Sequence, residues 1–469
     1  MKKIHTFLWM IGLLVATQVA SAQNEHHHHT PPPDSISHQQ PHAGHTTEKP
    51  VQETSSGHSM HGAPMSHAFS LNLPMNRNGS GTGWLPDAAP MYGYMVHSKK
   101  WMYMFHGNLF LRYTNHDISN KGSRGGSRFD APNWVMGMGQ RRVGEKGLFR
   151  FSAMLSLDRL TVEGGGYPLL FQSGETWKGK SLVDKQHPHD LFSELSVAYT
   201  HAFSPDVDAF VYVGFPGEPA FGPVAFMHRP SSLYNPDAPI GHHWQDATHI
   251  TFGVSTLGLR YKNFKIEGSN FTGREPNEER FGFDTPRFDS WSARVSYNPT
   301  PEWALQVSQA WVKDVHELGP REDVNKTTAS VVHAKKLGAK TSINSAAVWG
   351  YNKAVKGHHD PQHSALVESA LNLNKTAIYG KYEWVQKSAE ELLLDEEIFG
   401  HGKLFPVNAL TLGVNQNLFK VANTNLAIGV QGTWYGVDHS LQGLYGKNPL
   451  SFETYIRLFP GLMSAGSSR

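Results

Sequence analysis

The feature that most constrains this chain is its connector rhythm. About sixteen short segments of alternating polarity are joined by links that are in turn tight and long. Segments of about ten residues suit strands crossing a hydrocarbon core at a steep tilt. Tight links on one rim and long loops on the other are the signature of a transmembrane antiparallel β-barrel. The expected fold is therefore all-β, a barrel of about 16 strands (range 12–18) over residues 101–469. Expected spans are 101–113, 133–143, 148–158, 189–203, 208–215, 250–261, 264–274, 288–298, 303–314, 325–335, 340–352, 363–373, 376–387, 407–418, 424–437 and 451–459. The tight links contain turn formers, such as Gly144-Glu145-Lys146-Gly147 and Lys262-Asn263. Long links at 159–188, 216–249 and 388–406 fall on the opposite rim.

Face parity supports a wall. Trp291, Ala293, Val295 and Tyr297 share one side of their segment, and Ser292, Arg294 and Ser296 the other. Charged residues such as Arg112, Arg150, Glu194, Lys265, Glu267, Lys381, Glu383, Glu453 and Arg457 take the side assigned to the lumen. A soluble β-sandwich would show alternation without the asymmetry of connectors. Mean hydropathy of −0.43 does not oppose a barrel, because lipid-facing and lumen-facing residues alternate and average out.

Before the wall, the chain changes character three times. Lys2 and Lys3, the apolar run Phe7–Val15 and Ala20-Ser21-Ala22 read as a cleavable signal peptide over 1–22. Export follows, and with a barrel it implies the cell outer membrane, where lipid is the first partner. Residues 23–67 are rich in His, Pro, Ser and Thr and too poor in apolar residues to fold. Residues 68–100 read as a transition or plug at the periplasmic mouth. With no cysteine there are neither disulfides nor thiolate ligands. A formal charge of +2 excludes nothing about metals but gives no sign of nucleic-acid binding.

The chemistry lies in histidine and methionine, 28 and 14 residues respectively. Imidazole suits Zn and Cu(II), and thioether sulfur selects Cu(I) or Ag(I). In the tail, His26, His27, His28, His29, His58, Met60, His61, Met65 and His67 form a candidate metal-capturing segment; a solvated polar tail is the alternative. On the first strand, parity turns Met102, Met104 and His106 inward, and on the third Met154, as a candidate soft-metal path; packing against a plug is the alternative. Met136 and Met138 share a face with Trp134, so parity leaves their direction open. In the loops, His187, His189 and Asp190, then His228, then His242, His243, Asp246 and His249, could build a Zn or Cu site or a hydrogen-bonded network. His358-His359-Asp360 is a weaker cluster. No G-x-S-x-G and no H-E-x-x-H occurs, so no catalytic set is assigned.

The stretches 74–95, 166–192, 217–253 and 273–303 resemble a largely uncharacterised family of Gram-negative outer-membrane barrels met among heavy-metal resistance functions. The Met/His-rich segment after the leader more loosely resembles the copper resistance protein B family. The resemblance implies a porin-like barrel handling copper or a related metal, with periplasmic metal-handling or efflux proteins as partners. The alternatives are a general-solute or structural porin with no metal role, and an outer-membrane enzyme.

Overall fold

The computed structural model describes residues 66–118, 122–163, 165–315, 322–356 and 360–463. The described residues form twenty strands, eighteen of them in one sheet. Sixteen close on themselves as an antiparallel barrel, the last strand, Leu450–Pro460, pairing with the first, Met102–His116. Closure leaves these sixteen strands without a free edge, so every wall strand finds backbone partners on both sides without water. Each expected segment matches a wall strand, with ends moved by a few residues; 133–143 is unchanged. No helix among the described residues is long and apolar enough to cross a membrane.

The tight turns follow the even-numbered wall strands and the long loops the odd-numbered ones. The turn after the fourteenth, Leu404–Val421, shows why two residues suffice. Ala422 and Asn423 both have positive φ, the geometry that matches hairpin twist. Outside, Leu257, Ile266, Val307, Val367, Leu412 and Ile456 form an exposed apolar band. Inside, the charges expected in the lumen are buried.

Three features were not legible as strands. Tyr94–His97 pairs with the start of the first wall strand, and Gly126–Asp130 with its end. Within the loop expected to be irregular, Tyr167–Trp177 and Lys180–Gln186 make a separate hairpin. Its turn residues Lys178 and Gly179 both have positive φ, and their amides donate to Glu278.

The interior is filled from both ends. From the turn rim, residues 66–92 enter the barrel. Asn298 Nδ2 donates to Leu85 O, Arg294 donates to Thr82 Oγ1, and Ala88 N donates to Pro301 O. From the loop rim, residues 215–253 fold inward. Arg229, fully buried, donates to Glu368 on the wall at 2.8 Å and to Asp246 of its own loop at 3.2 Å. Arg112 similarly joins Asp237 of the loop, at 2.7 Å, to the wall.

Candidate functional site

Two ligand clusters meet inside this packing. The first is a methionine chamber. Met104 on the first wall strand pairs with Met138 on the second, and His106 with Met136, which pairs in turn with Met154 on the third. Alternation therefore puts all of these side chains on one inward patch, settling the direction of Met136 and Met138. Met75 and Met91 arrive on the entering segment and Met227 on the inward loop; Met95 and Met102 pack at the edge. Between them lies a cavity of about 100 Å³, with Met91, Met104, Met136, Met138, His106 and His228 on its walls.

Methionine also fills irregular core gaps. What departs from plain packing here is an open space bordered by imidazoles. His106 Nε2 is buried without a hydrogen-bond partner. Its ring lies 5.6 Å from that of His228, and Trp134 stands 4.8 Å from His228. Burial, and next to it His106, push the His228 imidazole down to about 3, so it is neutral at any physiological pH. Among the described residues Arg457 is the single Lys, Arg, Asp or Glu lining the cavity. One fixed positive charge opposes a divalent ion more than a monovalent one.

The second cluster is a run of imidazoles. His187, His189, His249, His242 and His243 follow one another with ring separations of 6.2, 5.7, 5.1 and 5.3 Å. Local sequence sets this up. Pro188 restrains His187 to extended backbone. The short helix His242–Gln245 puts His242 one turn from Asp246, so Nδ1 meets the carboxylate at 2.7 Å. His189 Nδ1 meets Asp158 at 2.7 Å, and His249 Nδ1 lies 2.8 Å from Asp246 O. Acceptors at Nδ1 leave Nε2 as the lone-pair nitrogen, the arrangement that usually stands behind ligating histidines. Burial lowers His242 and His249, the latter helped by its neighbours His242 and His189. Burial works against the Asp246 carboxylate, but His242 and Arg229 hold it well below the usual range. Asp190 belongs to an ion-pair network with Arg280 instead; burial raises it to about 6 against that guanidinium.

The 3-10 turn Phe226–His228 joins the clusters. Phe226 packs on His242 and His249, at 5.8 and 6.4 Å, while Met227 and His228 enter the chamber. His228 therefore leaves the loop histidines with which sequence order had grouped it. His67 is also set apart. It is buried against Phe69 and Trp84, and Lys265, Arg77, Arg150 and Arg260 surround it, a setting that repels a metal ion. The tail candidates His26, His27, His28, His29, His58, Met60, His61 and Met65 lie outside the described residues, as do His358 and His359. Sequence reasoning missed Glu175 and Glu275, which stand beside His243.

The fold is a closed antiparallel β-barrel of sixteen strands with an apolar outer band and a filled, charged interior. No protein-family model matches the sequence, and no curated protein is significantly similar to it. Among solved structures the chain is similar to an anion-selective porin from Comamonas acidovorans, at 11% identity and a TM-score of 0.47, covering 77% of this chain and 100% of that one. It is also similar to a loop-deletion mutant of OmpT from Vibrio cholerae, at 9% identity and 0.47, covering 77% and 99%. OmpF of Salmonella typhi, in complex with daunomycin, aligns at 9% identity and 0.46, covering 78% and 100%.

Proposed function

We propose that the protein is a porin-like outer-membrane barrel that binds and passes a soft monovalent metal ion, Cu(I) or Ag(I), through its interior. The supporting observation is the methionine chamber: a small cavity bordered by thioethers and neutral imidazoles, with no carboxylate among the described residues that line it. Such neutral, polarisable donors prefer soft ions, whereas oxygen donors prefer hard ones. The imidazole run beyond Phe226 extends the ligand series toward the loop rim, and there Cu(II) or Zn is the better match. On this reading the exported tail captures metal in the periplasm, and periplasmic metal-handling or efflux proteins exchange it.

A general-solute porin is the second reading, favoured by the barrel architecture. Planar-bilayer conductance of the full chain in nitrate buffer, with and without micromolar Ag(I), separates the two. Conductance that changes with Ag(I), and no longer does so after Met104→Leu with Met138→Leu, supports the metal reading. A steady, metal-blind conductance returns the protein to the porins.

A further inference from the structure

At the loop rim a second cavity, of about 190 Å³, opens beside the imidazole run. Its chemistry is opposite to that of the methionine chamber. Glu175, Glu275, Glu322, Asp360, Glu391 and Glu396 line it, and among the described residues Lys326 is the one Lys or Arg on its walls. A recess lined by one sign of charge concentrates counter-ions at its mouth.

Acidic walls alone do not make a site, but one imidazole lining the cavity has an unsatisfied nitrogen. His243 is 8% exposed, and its Nε2 is buried without a hydrogen-bond partner. Its Nδ1 lies 3.0 Å from Glu275 Oε1, which leaves Nε2 as the lone-pair nitrogen. One donor atom from each of Glu175, His243 and Glu275 lies within 4.8 Å of the others, so the Glu175 carboxylate stands close beside the imidazole that Glu275 holds at Nδ1. Gly174 supports the ring from below. It has φ of +107°, and a Cβ there would come within 2.8–3.0 Å of three atoms of the imidazole.

Glu175 is also prepared. Its Oε1 lies 2.9 Å from His187 Nε2 and its Oε2 3.0 Å from Arg280, hydrogen bonds that orient the carboxylate. Lys326, which donates to His243 O at 3.1 Å, fixes the backbone under the ring.

We infer that Glu175 and His243, whose ring Glu275 orients from Nδ1, form a binding site for a borderline divalent cation, Zn(II) or Cu(II), at the loop-side entrance of the barrel. The mixed oxygen and imidazole donor set fits that class and not a soft monovalent ion. The site is separate from the methionine chamber, and neither depends on the other.

The test uses crystals of the full chain soaked in ZnCl₂ and anomalous differences collected at the zinc edge, which locate the ion whatever the tail binds. A vestibule peak roughly 2.0–2.2 Å from Glu175 and His243 is expected. His243→Gln should remove it. Glu275→Gln, milder for folding, should weaken Zn(II) binding there by roughly 10–100-fold. Peaks elsewhere but none in the vestibule, or a vestibule peak unchanged in His243→Gln, overturns the inference. A vestibule peak in a protein whose conductance ignores Ag(I) would refute the chamber reading and leave this site standing.

Discussion

His106 and His228 face each other across 5.6 Å, one fixed on the barrel wall and the other carried in by the long inward loop. The chamber thus exists only when the loop is seated, which makes its ligand set a property of tertiary structure. If it binds a soft ion, the thioethers supply the affinity. Met104→Leu with Met138→Leu keeps volume and costs folding under about 1.5 kcal/mol per site. Ag(I) affinity of the full chain, read by competition with a chromogenic chelator, should fall at least roughly tenfold, about 1.4 kcal/mol. Unchanged affinity in a heat-modifiable, folded barrel would remove the chamber from the binding account.

The imidazole pushed down to about 3 gives a pH test. His228 stays neutral until the pH approaches 3, whereas unperturbed histidines take up protons near 6.5. Between pH 7 and pH 5 the tail histidines should therefore release bound metal, while the chamber keeps Ag(I). Equilibrium dialysis at the two pH values reads this as loss of part of the stoichiometry. Loss of all bound Ag(I) at pH 5 would place binding in the tail.

The wall was readable because its determinants are local. A strand such as Ser290–Thr300 reports its two environments by simple alternation, with Trp291 and Val295 outward and Arg294 inward. The short strand Gly126–Asp130 lacks that length, and the hairpin Tyr167–Trp177 with Lys180–Gln186 sat in a connector judged by length alone. The inward Met102, Met104, His106 and Met154 followed from parity. What parity cannot give is the partner from another element. Nothing in the order of residues links Met227 and His228 to the first strand, or Glu175 and Glu275 to His243, because loop folding decides both.

Glu218 supplies a stability prediction. It is buried beside Gly81 of the entering segment, where a Cβ would approach Glu218 within 2.8 Å. Burial raises its carboxyl to about 8 although Arg294 and Ser80 pull it down. A carboxyl raised in the folded state contributes stability that is full below the unfolded value, near 4.5, and is lost as pH rises through about 8. Unfolding in urea should show stability falling across that window, and Glu218→Gln should flatten the fall. A Glu218→Gln profile that parallels the wild type would mean the carboxyl ionises without cost.

Arg229 tests what keeps the inward loop seated. It is fully buried between Asp246 on the loop and Glu368 on the wall, at 3.2 and 2.8 Å. Truncating one member of a buried ion-pair set leaves the others uncompensated and typically costs about 3–5 kcal/mol. The sixteen-strand wall makes its own backbone bonds, so the cost should fall on the loop and not on closure. Arg229→Ala should give a barrel that still resists detergent but conducts more, with frequent transitions between levels as residues 215–253 leave the lumen. Replacing Glu368 by Gln as well should restore quieter conductance, because the orphaned wall carboxylate is removed. Single-channel recordings of the two variants decide it: identical, wild-type traces would mean that the loop is held by its apolar packing and that this ion pair does not hold it in place.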